Sequence, residues 1–187
     1  VSYIARGNIM TSERRDRYGD VVRAAGGIFD DFRKNPVLQL SHGFTSAPHP
    51  VIGRVPFLGV TRTDANVPAV GGDFEFHSSA LAQEIAELYA AKFIRAGSIG
   101  FIPDGLASIL VIGPDGLPVN GASPEDFAYG SMPDGYGFDF RRWFQLEHSI
   151  VPVPANPDAL GRMRSLPETA RVLGLSHRRQ FAGPFYG

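Results

Sequence analysis

Cysteine is absent from the 187 residues. That excludes a disulfide framework, a thiolate nucleophile and a cysteine-ligated zinc within this chain. Net charge is also nearly absent, since 18 Lys and Arg stand against 19 Asp and Glu. No field therefore favours nucleic acid or an anionic membrane surface, and neither is expected as a partner. No apolar run is long enough to cross a bilayer, and the first residues lack a signal-peptide pattern. A soluble, cytoplasmic protein is the expectation. The first residue is Val1 rather than Met, which fits a processed or shortened form. There is no dinucleotide or P-loop glycine pattern and no internal repeat, so no cofactor is expected.

Turn-forming residues, by contrast, are plentiful. The chain has 22 Gly and 15 Pro, which favours many short strands over a helical bundle. Strands are expected at Val1–Met10, Val37–Leu40, Pro50–Val55, Gly71–Phe76 and Ser108–Ile112, with a longer one over Phe138–Val153. One or two helical turns fit Ile28–Lys34. The clearest helix follows Ser78-Ser79, with Leu81, Ile85, Leu88, Tyr89 and Phe93 on one face and Gly97 as its C-terminal cap. Asn156 before Pro157 reads as the start of a C-terminal helix, and a second short helix fits Pro167–Leu173. These elements predict an α+β fold, a small and mostly antiparallel β-barrel with surrounding helices. One domain spans 1–175, and a basic, aromatic tail without periodicity fills 176–187.

Ala96-Gly97-Ser98-Ile99-Gly100-Phe101-Ile102-Pro103 reads as a strand with one hydroxyl between two glycines. Alternation puts Ser98 on the less apolar face with Ala96, Gly100 and Ile102, and puts Ile99 and Phe101 on the other. Glycine neighbours leave room for a substrate backbone beside a nucleophile. Taken alone, the stretch reads more plainly as an edge strand with a solvated serine. His42 ends the Val37–Leu40 strand just before Gly43, where an imidazole can reach out of a barrel wall; the plainer reading is a packed or solvated histidine.

Three motifs occur in order: Asn-Pro-Val-Leu-Gln-Leu-Ser-His ending at His42, Ala-Gly-Ser-Ile-Gly-Phe-Ile-Pro around Ser98, and Leu-Glu-His-Ser-Ile-Val-Pro-Val-Pro-Ala-Asn-Pro-Asp-Ala over 146–159. With the Asp16–Val22 segment, this ordered set resembles the prohead proteases of HK97-type tailed bacteriophages over roughly Val1–Leu173. The loop from Asp104 to Gly137 is longer than that family's pattern, and the tail beyond Leu173 matches none of it.

The resemblance implies a serine endopeptidase of the herpesvirus-assemblin type on a small β-barrel. Its expected substrates are the major capsid protein or scaffold, and the protease itself. Its expected site of action is the host cytoplasm, inside the immature prohead, as a homodimer or higher homo-oligomer. A catalytically inactive capsid-associated module of the same fold is the alternative. A metallohydrolase built on His42, His49, Asp73, His77 or His148 is a further class, but these residues form no compact ligand motif.

In the expected chemistry Ser98 is the nucleophile and His42 its base, because an ordinary hydroxyl is too weakly acidic to attack an amide unaided. Backbone amides near Ser98, or an arginine among Arg54, Arg141 and Arg142, would bind the oxyanion. For the third group, Glu147 would give Ser-His-Glu, and His148 would give the Ser-His-His arrangement of the herpesvirus relatives. Neighbouring strand residues face opposite ways, so at most one of them serves. Strict alternation groups Phe144, Leu146, His148 and Ile150 as the apolar, core-facing set. Glu147 then falls with Trp143, Gln145, Ser149 and Val151 on the outer face, as Ser98 does on its own strand. A carboxylate also stabilises an imidazolium better than a neutral imidazole does, so the expected catalytic set is Ser98, His42 and Glu147, with no metal.

Overall fold

The structure is a computed structural model describing residues 3–43, 50–127 and 132–161. In chain order its strands are β1 (Tyr3–Ser12), β2 (Val21–Val22), β3 (Gly27–Ile28), β4 (Val37–Leu40), β5 (Val51–Arg62), β6 (Pro68–Phe76), β7 (Ala96–Pro103), β8 (Ile109–Ile112), β9 (Gly137–Phe140) and β10 (Trp143–Val151). Helix α1 covers Asp30–Lys34 and α2 covers Ala80–Ala90. Among the described residues, β1-β6-β5-β4-β10-β3 lie in that order in a seven-stranded sheet, with β7 added on β10. Pairing is antiparallel except where β10 runs parallel to β3 and β4. The sheet curls into a half-barrel. Residues 159–161 reach both of its ends: Gly97 N–H donates to Ala159 O (2.8 Å) and Ile9 N–H to Leu160 O (3.4 Å). The fold is thus α+β and rich in strands.

The concave side is filled by Leu38, Ile52, Val55, Val70, Phe74, Phe76, Trp143 and Ile150. Burying side chains of this size stabilises by roughly 1.5–3 kcal/mol each, before conformational entropy is set against it. Trp143 stacks edge-on against Phe29 and Phe101. Its indole N–H donates to Arg23 O at 2.9 Å, so the buried ring leaves no orphan donor.

Helix α2 covers the sheet with Ala82, Ile85, Ala86 and Tyr89. The apolar face is therefore rotated from the one expected: Leu88 lies near the surface and Phe93 is 84% exposed. Ser79 is at the N-cap position but makes no capping hydrogen bond. Gly97 does not cap this helix. The helix stops at Ala90, the chain turns through Lys92 in the left-handed region (φ 66°), and Gly97 lies within β7.

Other expectations are also corrected. Phe138–Val153 is not one strand: Arg141-Arg142 divide β9 from β10, and β9 belongs to a three-stranded sheet, β2-β9-β8. The strand expected at Ser108–Ile112 is present as β8 and pairs with β9 in that sheet. No helix starts at Asn156. Its amide side chain is used up by Ser12 O (2.8 Å), Arg14 O (3.2 Å) and Asp158 N–H (3.0 Å), which pins a turn against β1. The helix expected over Pro167–Leu173 and the tail 176–187 lie outside the described residues. No helix among the described residues is long and apolar enough to cross a membrane.

Candidate active site

The site is built where β4 ends and β7 pairs with β10. Strand β4 runs into Ser41-His42-Gly43, and all three residues have positive φ, at 51°, 55° and 76°. Left-handed backbone costs a non-glycine residue roughly 1–2 kcal/mol, so Ser41 and His42 hold this turn against a steric penalty. The turn is anchored by His42 N–H, which donates to Ser149 Oγ at 3.0 Å. From there the imidazole meets Glu147, with Nδ1 to Oε1 at 2.6 Å. With the carboxylate as acceptor, Nδ1 carries the proton and Nε2 is the ring's basic nitrogen.

Glu147 is where it is because β10 bulges. Its register on β7 runs Trp143↔Pro103, Phe144↔Ile102, Gln145↔Phe101, then skips to Glu147↔Gly100, His148↔Ile99 and Ser149↔Ser98. Leu146 is the extra residue, and it is 53% exposed. Before the bulge Trp143 and Gln145 face the core; after it His148 and Ile150 do. The extra residue switches the face that each parity occupies. Strict alternation therefore misplaces Trp143, Phe144, Gln145 and Leu146. The side on which His148 and Glu147 fall agrees with it, although an unbulged strand would turn Glu147 to the same side as the buried Trp143.

Directly opposed residues of an antiparallel pair have their Cβ atoms about 4.5–5.5 Å apart on one face. The ladder thus sets Ser98 beside Ser149 and Gly100 beside Glu147, on the face that His42 overhangs. Ile99 and Phe101 turn inward against the core. Ser98 is half-buried, and among the described residues its Oγ makes no hydrogen bond. A fourth side chain, Ser149, joins the group: its hydroxyl donates to Glu147 Oε2 at 2.6 Å. Sequence reasoning gave Ser149 no role, although its position two residues beyond Glu147 on a strand was the available signal.

The electrostatics separate the two histidines. The His42 pKa is raised above its ordinary 6.5, first by the hydrogen bond to Glu147 and further by that carboxylate's charge, with partial burial opposing. His148 is 0% exposed, lies 4.7 Å from the Phe74 ring, and has no hydrogen-bond partner on either ring nitrogen. Burial, assisted by the nearby His42, lowers its pKa to about 3. It is a neutral core ring packed against Gly97, not a member of the surface group.

The arginines weighed for an oxyanion are each held by a carboxylate: Arg54 by Glu75 (2.6 Å), Arg141 by Asp139 (3.6 Å) and Arg142 by Asp104 (2.7 Å). The other residues weighed as metal ligands are dispersed. Asp73 pairs with Arg6 (3.3 Å), His77 Nδ1 accepts from Ser79 N–H (3.1 Å), and His49 lies outside the described residues. Among the described residues, no three His, Asp or Glu side chains are grouped to hold a metal ion.

Nothing matches this chain in comparisons with family models, curated proteins or solved structures.

Proposed function

We propose that the protein is a serine endopeptidase in which Ser98, His42 and Glu147 act together. The observation that carries the reading is the 2.6 Å contact between His42 Nδ1 and Glu147 Oε1, on the face of the sheet where Ser98 stands one strand away. Glu147 fixes the tautomer, so that Nε2 can take the Ser98 hydroxyl proton as Oγ bonds to the scissile carbonyl carbon. The imidazolium, stabilised by Glu147, then returns that proton to the leaving amine as the C–N bond breaks. Water, deprotonated by the same nitrogen, hydrolyses the acyl-enzyme and frees Ser98. Backbone amides near Ser98 are the oxyanion donors we favour, because Arg54, Arg141 and Arg142 are already committed to carboxylates.

The finer identity follows the resemblance to phage prohead proteases. On that reading the half-barrel is a herpesvirus-protease-like fold, the substrates are capsid or scaffold protein and the chain itself, and the enzyme works as a homo-oligomer inside the immature prohead. The alternative, an inactive module of the same fold, draws on one observation: Ser98 Oγ makes no hydrogen bond to His42. Contacts between nucleophile and base often tighten only when substrate binds, so we favour the enzyme.

One experiment separates the two readings. The wild-type chain is treated with a fluorophosphonate probe and, separately, incubated with its neighbouring capsid protein and weighed by mass spectrometry. Labelling at Ser98 and cleavage, both lost in a folded Ser98→Ala variant, support the enzyme. No labelling and no cleavage by the folded wild type would leave the inactive module.

A further inference from the structure

Ser149 has no part in a three-residue scheme, yet two of the three residues converge on it. Its side chain is completely buried (0% exposed). One hydroxyl makes two bonds of opposite sense: it accepts from His42 N–H at 3.0 Å and donates to Glu147 Oε2 at 2.6 Å. Glu147 spends its other oxygen on the His42 ring. A closed loop results, from the His42 backbone through Ser149 and Glu147 back to the His42 side chain. The Ser149 bond fixes the backbone that carries the imidazole, and the Glu147 bond fixes the ring.

The turn carrying His42 needs such an anchor, because Ser41 and His42 both occupy left-handed backbone that side chains disfavour. We propose that Ser149 is a positioning residue that clamps the His42 turn and the Glu147 carboxylate to each other, an assignment that rests on the serine-peptidase reading above. It is not a second nucleophile. Its proton is already given to Glu147, its hydroxyl is shut away from any peptide, and the half-buried hydroxyl directly across the ladder is that of Ser98. Placing Ser149 two residues after Glu147, beyond the Leu146 bulge, gives both side chains the same face.

The test uses the full chain and the variants Ser149→Ala, Ser149→Thr and Ser149→Cys, each first checked for a wild-type circular dichroism spectrum. Two quantities are read: the fluorophosphonate labelling rate against pH, and the His42 ring titration by NMR in a Ser98→Ala background. In Ser149→Ala the labelling rate falls about tenfold or more, and the His42 titration drops toward its ordinary value as the carboxylate loosens. Ser149→Thr, which keeps the hydroxyl, restores most of both. If Ser149→Ala does not fold, Ser149→Cys, a weak hydrogen-bonding group of similar size, is the comparison and gives the same directions.

A purely space-filling Ser149 would leave the titration unmoved. Titration and labelling rate both within about twofold of wild type would therefore overturn the clamp while leaving the peptidase reading intact. A displaced His42 titration in a chain whose wild type never labels would do the reverse.

Discussion

Gly100 lies directly across the ladder from Glu147, and a Cβ placed on it would sit 2.5 Å from Glu147 Oε1, the oxygen that holds His42. The carboxylate therefore crosses β10 to β7 over a position with no side chain. The obstacle to a larger residue is the far end of a flexible side chain, so the fold can yield cheaply while the site cannot. We expect Gly100→Ala to change the unfolding free energy by less than about 1 kcal/mol and to slow Ser98 labelling about tenfold or more. Thermal denaturation beside probe kinetics checks both halves. An active, destabilised variant would mean that Gly100 serves packing and not the carboxylate.

Glu147 and His148 are adjacent and exchange roles easily on paper, but their surroundings differ. Glu147→Gln keeps the shape, replaces the carboxylate whose hydrogen bond and charge together raise His42, and is expected to cost activity heavily while moving the acid limb of the rate–pH profile down toward 6.5. The sign follows from the base having to be neutral: a raised His42 needs a higher pH, and losing its partner relieves that. His148→Phe replaces one buried ring by another against Phe74 and is expected to keep most of the activity, since neither His148 nitrogen has a partner to lose. The reverse result, with loss in His148→Phe and not in Glu147→Gln, would remove Glu147 from the proposed set.

The strands were largely legible because alternation and glycine–proline punctuation are local. β4, β6, β8 and the Ser98 strand lie close to where those signals put them. Tertiary contacts decided what periodicity could not. Asn156 carries a helix-start signature but finds Ser12 and Arg14 to bond instead. Gly97 looks like a cap because it follows a helix, yet it is small to leave room for the His148 ring, whose Cε1 would lie 2.7 Å from an added Cβ. A bulge leaves no mark on the sequence, so the face change at Leu146 was invisible although it delivers Glu147. Ser149 went unassigned because its two partners become neighbours only after β4 and β10 pair.

Asp139 offers a test of the small sheet. Its carboxylate is 3% exposed and is held by Arg23 through Nε (2.7 Å) and a second nitrogen (3.0 Å), while Arg23 also reaches Glu13 (3.1 Å). Both carboxylates raise the guanidinium's pKa through these hydrogen bonds. Arg23→Ala leaves a buried charge with a more distant Arg141, at 3.6 Å, as its remaining cation. We expect a loss of about 3 kcal/mol in denaturant unfolding. Asp139→Asn in the same background should recover part of it by removing the stranded charge. A loss under about 1 kcal/mol would show the pair to be solvated.

Acid should unfold this protein in part through His148. Its folded pKa is lowered to about 3 by burial, against an ordinary 6.5 in the unfolded chain. Between those values the unfolded state binds the extra proton, so stability rises with pH. The contribution is complete above 6.5 and is lost as pH falls toward 3, by about 1.4 kcal/mol per unit at most. Other groups slope the opposite way, among them Asp16, whose carboxyl burial pushes up against its backbone hydrogen bonds. His42, raised by Glu147, contributes stability that is full below 6.5 and fades as pH rises through its folded value. Asp20, raised to about 6 chiefly by burial, favours the folded state as pH drops below that. A single melting curve against pH therefore mixes these contributions, and the difference between wild type and His148→Phe isolates that of His148. That difference should be flat above pH 6.5 and should widen steadily in the variant's favour from pH 6 to pH 4. Parallel curves over that range would mean that the buried ring already finds a proton acceptor in the folded protein.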